Sequence, residues 1–289
     1  MDCQGNDDTF NVTTDVPADP AQRLRSAIDA RWGRLNARGP GETGALSQLA
    51  RALRRAAEDV ALSAACREVK SFVSSRPSVE RALAYAYGTR VRTFDTRITP
   101  NQIPSEIEAL LGRLEALRPR TILEIGTSFG GTLFLLATVA ADDALLLTVD
   151  LPDSGHGQSY SKRRAKLYRA FARRSQRIEL LRMDSHEDGT LERVKALLGE
   201  SRIDFLFIDG DHTYEGVRDD YDMYTPLVRE GGLIGLHDIV PGASEFVGGV
   251  PRFWQELKTQ VDVDEIVEDW GHGGFGIGLV TRAATALGT

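Results

Sequence analysis

The sequence predicts an α/β protein built on a mainly parallel sheet, and three observations predict it. From Thr121 onward, short apolar runs alternate with helix-length segments, the pattern of strand–helix repeats. The runs end one after another in an acid or a glycine, and open parallel sheets bind ligands along the C-terminal edge of their strands. The first run, Thr121-Ile122-Leu123-Glu124-Ile125, turns at Gly126 through Thr127-Ser128-Phe129 into Gly130-Gly131 and an apolar helix over 133–140. Glycine permits such a sharp turn and lets a ligand approach the main chain.

Before this region the chain reads differently. Residues 1–18 are polar and read as a disordered tail. Residues 19–100 read as a helical N-terminal extension or lid. Asp19-Pro20 is a cap followed by a first-turn proline. Leu46, Leu49, Leu53, Ala57 and Val60 form one stripe on an arginine-rich helix over 44–70, whose Leu46/Leu49/Leu53 face is expected to be buried in an oligomer. A second helix spans 78–87 and stops at Gly88. Residues 91–104 read as a loop or short strand leading to a helix over 105–117.

Residues 101–289 read as the ligand-binding, catalytic domain. After the first strand come Leu145–Asp150, Ile178–Asp184, the run from Ile203 to Asp209, and a fifth strand from Gly231 to Ile239. A helix over 250–261 and two last strands, 264–268 and 276–281, follow. Strand–helix repeats in this order imply right-handed crossovers. Asp150, 24 residues after Gly126, is placed to accept hydrogen bonds from ribose hydroxyls. A dinucleotide site would need G-x-G-x-x-G, and Ser128 stands where its second glycine belongs, which disfavours NAD.

Composition narrows the function classes. The 289 residues suffice for one large domain and an accessory segment, and 42% hydrophobic residues suffice for a core. A net charge of −7 argues against nucleic acid as a partner. No apolar run reaches the roughly 18–20 residues of a membrane span. The first residues lack the basic and apolar regions of a signal peptide, so the expected location is cytoplasmic, and the Asn11-Val12-Thr13 sequon carries no meaning without secretion. Cys3 and Cys66 make no disulfide framework. Lys162-Arg163-Arg164 and Arg173-Arg174 read as solvated helix faces.

The spacing Glu124-x-Gly126-x-x-x-Gly130 resembles motif I of class I S-adenosylmethionine (SAM) methyltransferases. The strings FIDGDHTYEGVRDD (207–220), YTPLVREGGLIGLHDI (224–239) and GVPRFWQELK (249–258) resemble a branch that includes macrolide-sugar O-methyltransferases and cephalosporin hydroxylase-type proteins. The resemblance covers roughly residues 102–281. It implies a Rossmann-like seven-stranded sheet, mostly parallel, whose last strand is antiparallel and inserted between its predecessors. It implies SAM as cofactor, bound by Glu124, Gly126, Thr127, Ser128, Gly130, Asp150 and Asp209. Asp184 and Ser185 would face the adenine and Gln102 the methionine end.

The expected activity is O-methylation of a small metabolite, a sugar of a natural product. The alternative is a non-catalytic SAM-binding accessory protein. His212, three residues past Asp209, is the candidate general base, an imidazole having a pKa near working pH. Asp209 and Asp238 end adjacent parallel strands, so their carboxylates should converge, and two carboxylates suit Mg²⁺. The sugar-methylating relatives carry two adjacent acids at the fifth strand's tip, where this chain has His237-Asp238. An imidazole suits softer divalent ions better, so Mg²⁺, another divalent cation or none stays open. Of the other histidines, His156 falls in a Gly/Ser-rich loop that reads as part of a lid, His186 reads as lying near adenine or at the surface, and His272 as a turn residue.

Overall fold

A computed structural model describes residues 45–88, 98–152, 162–173 and 175–283. All of them lie in one compact unit, Gly44–Thr289. The expected tail at 1–18, the Asp19-Pro20 cap, Cys3, Arg174, His156 and the loop around it lie outside the described residues.

Helices α1 (Ala45–Ser74), α2 (Val79–Gly88) and α3 (Pro104–Leu117) precede strand β1 (Thr121–Ile125). Then come α4 (Gly131–Val139), β2 (Leu145–Asp150), α5 (Ala165–Arg169), β3 (Arg177–Arg182), α6 (Asp188–Leu198) and β4 (Ile203–Ile208). The chain finishes with α7 (Tyr214–Tyr224), β5 (Val228–His237), α8 (Ser244–Val247), α9 (Val250–Leu257), β6 (Val263–Ile266) and β7 (Ile277–Thr281). The seven strands lie in the order β3-β2-β1-β4-β5-β7-β6. β1 to β5 are parallel, and β7 runs antiparallel to both β5 and β6. This is the expected Rossmann-like sheet with its last strand inserted between its predecessors.

Local chemistry sets the element ends. Pro104 opens α3, where its missing N–H costs nothing, and Arg118 closes it in a left-handed conformation with its N–H on the Leu114 carbonyl at 2.8 Å. Thr213 caps α7 by accepting the Gly216 N–H at 3.0 Å. Every residue of β1 is buried, as a strand covered on both faces must be. One face packs Phe205 and Phe207 against Leu110, Leu111, Leu133 and Phe134, and the other packs Leu206 and Leu236 against Val217, Val250 and Trp254.

The N-terminal helices join the first of these cores. α1 buries Leu62, Val69 and Val73, while α2 buries Ala82, Leu83 and Ala86. Of the expected stripe, Leu46 and Leu49 lie outside the residues whose side chains are described. Leu53 and Val60 are 62% and 69% exposed, and the buried face begins two residues after Val60. Periodicity gives a helix its apolar faces but not the half that meets a core.

Candidate functional site

The strand tips of β1, β4 and β5 bring the predicted residues together. Gly126, at φ +91°, follows β1, and its N–H bonds the Val149 carbonyl at 2.9 Å. A Cβ there would stand 1.8 Å from the Asp209 carbonyl oxygen. Glycine is therefore demanded by the approach of the first turn to the tip of β4. Gly130, at φ +70°, is held against the ring of Tyr168, which a Cβ would reach at 2.5 Å.

Glu124 is fully buried. One oxygen accepts the Thr148 hydroxyl at 3.1 Å, and the other has no partner. Burial pushes its carboxyl well above the ordinary value, and Asp209 and Asp150 add to this. The Thr127 and Thr148 hydroxyls also meet. Asp150 accepts the Ser128 N–H at 2.9 Å, and burial raises its carboxyl to about 6. Asp184 accepts the His186 N–H at 3.0 Å, and the Ser185 carbonyl accepts the Tyr224 hydroxyl at 2.7 Å.

The acidic cluster lies one strand over. Gln102, 1% exposed, donates its Nε2 to Asp209 Oδ2 at 3.1 Å and leaves its buried Oε1 unpartnered. Asp209 Oδ1 faces His237 Nδ1 at 3.1 Å and His212 Nε2 at 3.5 Å. Asp238 Oδ2 stands 3.5 Å from both His212 Nδ1 and His237 Nδ1, and its Oδ1 accepts the Phe275 N–H at 2.8 Å. Burial pushes both carboxyls up, but the two imidazoles outweigh it and hold them below the usual carboxylate range. Burial pulls both imidazoles down, and the carboxylates outweigh that in turn. His212 is raised to about 9 and His237 well above its ordinary value. At neutral pH the cluster thus holds two negative carboxylates neutralised by two imidazolium protons.

Asp209, His212 and Asp238 each offer a ligand atom, and these atoms lie within 4.8 Å of one another. Two carboxylate oxygens and one imidazole nitrogen suit a divalent cation, with the nitrogen favouring a transition metal over Mg²⁺. His237 is not one of the three. Its Nδ1 is turned to Asp209, and its Nε2 is buried without a partner. The Phe246 carbonyl sits on His212 Nδ1, and a carbonyl only accepts. Nδ1 therefore carries a proton, and Nε2 is the atom that titrates or ligates. Asp211 is engaged locally, accepting the Thr213 N–H at 2.8 Å.

Several side chains, some at this site and some away from it, take roles that the sequence did not show. Arg164, read as part of a solvated face, is 2% exposed. It donates to the Phe129 carbonyl and the Tyr168 hydroxyl, each at 2.7 Å, and Tyr168 donates to the Ser128 carbonyl at 2.5 Å. Together they brace the loop between Gly126 and Gly130. Arg163 is also no free cation, since it pairs with Glu58 and Asp59 of α1. Arg173 is only 11% exposed in its side chain and bonds the Thr138 carbonyl at 2.8 Å. Buried Glu106 holds the glycine-rich turn before β7, accepting the N–H groups of Glu268 and Gly276, each at 3.0 Å. These contacts span 33 residues or more of sequence, apart from the Arg164–Tyr168 bond within one helix turn, and they carry no local motif.

Residues 123–239, from β1 to just past β5, match the family model described as a methyltransferase domain. The uncharacterized protein y4gI of Sinorhizobium fredii is 26% identical over 148 residues, 50% of this chain and 16% of its own length. The uncharacterized protein R132 of Acanthamoeba polyphaga mimivirus is 30% identical over 118 residues, 41% of this chain and 51% of its own length. The chain thus spans a sixth and a half of the lengths of these two relatives. Among solved structures, the O-methyltransferase TomG from Streptomyces achromogenes, involved in tomaymycin synthesis and solved with SAM, aligns at a TM-score of 0.47 and 20% identity. That alignment covers 72% of this chain and 91% of TomG.

Proposed function

We propose, from the match of residues 123–239 to a methyltransferase-domain family model, that the chain methylates a hydroxyl oxygen of a small metabolite, a sugar of a natural product, with SAM as donor. The observation that carries this reading is a set of orphaned polar atoms at one sheet edge. Glu124 Oε1, Gln102 Oε1 and His237 Nε2 are buried and have no partner. Buried polar groups are nearly always satisfied, so three around this sheet edge argue for a polar ligand that satisfies them.

SAM supplies an electrophilic methyl group on a sulfonium centre. The residues here would bind, align and deprotonate. Asp150, braced by Ser128, offers carboxylate oxygens for ribose hydroxyls, and Asp184 and Ser185 stand at the neighbouring tip for the adenine. Gln102 bridges from the segment before α3 to Asp209, on the side assigned to the methionine end. As the methyl–oxygen bond forms, the acceptor's proton must leave, and His212 Nε2 is the group assigned to take it. A divalent cation would be held by Asp209, His212 and Asp238 and would acidify an acceptor hydroxyl. Nε2 cannot ligate a cation and accept a proton at once.

The chain is also read as self-associating, which Leu53 and Val60, exposed on α1, support. Among the described residues no helix is long and apolar enough to cross a membrane.

The test is incubation with methyl-labelled SAM and a panel of glycosylated metabolites, with and without EDTA. Label transfer to a sugar hydroxyl is expected. SAM binding with no transfer to any acceptor would leave an accessory binding protein instead. Loss of transfer with EDTA shows a required cation, and an unchanged rate removes the cation and leaves the His212 assignment to be tested by substitution.

A further inference from the structure

A cavity of about 510 Å³ opens at the other edge of the sheet. Lys70, Ser71 and Ser74 near the end of α1 face Arg169, Arg173 and Gln176. Gln176 immediately precedes Arg177, the first residue of β3, so the cavity sits at the N-terminal ends of the strands, away from the tips that carry Asp150 and Asp209.

Its inner wall is built rather than incidental. Gln176 is 6% exposed, donates to the carbonyls of Ala137 and Ala141 at 3.0 and 2.9 Å, and accepts the Arg173 N–H at 2.9 Å. Arg173 donates to the Thr138 and Ala140 carbonyls at the end of α4. Its Nε is buried and has no partner. Arg173 is thus fixed by the fold, with one donor left over.

The charge is one-sided. The lining holds three cations and no acid. Among the described residues Lys70 and Arg169 have no ion-pair partner. Asp142, the carboxylate next to Arg173 at 3.5 Å, is shared with Arg76 at 2.8 Å. The whole chain carries −7, so composition does not produce a basic hollow here. Guanidinium and ammonium groups flanked by hydroxyls are the donor set that recognises phosphate. The volume exceeds that of a lone phosphate and falls within the range of small-molecule sites, about 300–1,000 Å³.

We propose that this cavity binds a small phosphorylated metabolite through its phosphate groups. The assignment does not rest on the methyl-transfer reading, because it uses neither the residues nor the sheet edge of that site.

The test is calorimetric titration of the full chain at constant ionic strength with inorganic phosphate, inorganic pyrophosphate and glucose 6-phosphate, saturated with S-adenosylhomocysteine throughout. Saturable one-to-one binding is expected for pyrophosphate or glucose 6-phosphate. The exposed pair Lys70→Glu and Arg169→Glu should weaken it tenfold or more while leaving the melting temperature and S-adenosylhomocysteine affinity unchanged. Comparison with inorganic phosphate reports whether one phosphate suffices. Two results would overturn the proposal: no saturable binding of any of the three at millimolar concentration, or equal binding by the doubly substituted chain.

Discussion

Gly126 and Asp209 are in backbone contact: a single added carbon on the glycine would fall 1.8 Å from the aspartate's carbonyl oxygen. The turn assigned to the cofactor and the strand tip carrying the central acid are therefore one mechanical unit. Gly126→Ala should damage stability and ligand binding together, because the added methyl displaces β4 as well as straining a positive φ. Overpacking of this kind costs about 1–3 kcal/mol. Thermal melts should show a drop of several degrees alongside weakened S-adenosylhomocysteine binding. Loss of binding at an unchanged melting temperature would mean the methyl meets only ligand.

His212 predicts the pH profile. With its imidazole raised to about 9, the Nε2 proton is in place at neutral pH and leaves only as pH rises through that value. In metal-free enzyme kcat should climb with pH and level off above about 9. His212→Ala should remove that limb and lower kcat by about 10²-fold or more, with SAM affinity nearly unchanged. Mn²⁺ bound at Nε2 should abolish this limb, since a ligating nitrogen takes no proton. A flat profile in the wild-type chain would remove His212 from the proton's path.

Tyr168→Phe and Arg164→Met test the brace on the Ser128 and Phe129 carbonyls. Each removes one hydrogen bond to a part-buried carbonyl, at a cost of about 0.5–1.5 kcal/mol. S-adenosylhomocysteine affinity should fall about tenfold, and kcat at saturating SAM should change little. Unaltered affinity in both variants would make the brace purely structural.

His186 predicts a stability that depends on pH. Its ion pair with Asp220 at 3.3 Å, a carboxylate whose side chain is fully buried, raises the imidazole to about 9 from the unfolded value near 6.5. The folded state binds the proton more tightly, so the stabilisation is complete below about 6.5 and is lost as pH rises through 9. Urea midpoints should fall between pH 6 and pH 9.5, and His186→Gln should flatten that fall. An equal slope in the variant would assign the pH dependence elsewhere.

Exposed Leu53 and Val60 predict self-association. Light scattering at micromolar concentration should return a multiple of 31.7 kDa, and Leu53→Asp with Val60→Asp should return the single-chain mass. A wild-type mass of one chain would end this reading.

Much of this molecule was legible in the sequence because its signals are local. The strand runs, the Glu124-x-Gly126 turn and the acids at 150, 209 and 238 sit within a few residues of the elements that display them. Even the insertion of β7 followed from resemblance. What was not legible depends on contacts distant in sequence. Arg164 looks like any helix arginine until Phe129 is brought beside it. At Gly126 the turn was legible and its positive φ agrees, but the neighbour that excludes a side chain is Asp209, 83 residues later, which no local signal announces. On α1 the spacing located an apolar face, but the core meets the helix from Leu62 onward.

The place of β7 has a consequence for the order in which the chain is made. β5 is complete at His237, yet its second neighbour arrives only with Ile277–Thr281. Throughout synthesis of the intervening stretch, β5 presents an open row of backbone donors and acceptors beside apolar Leu233, Ile234 and Leu236. A nascent chain stalled or cut short in that interval would carry a nearly finished sheet with an adhesive rim. Premature stop codons after residue 240 are thus expected to yield aggregates rather than a smaller soluble enzyme, as sedimentation of a chain ending at Gly271 would test.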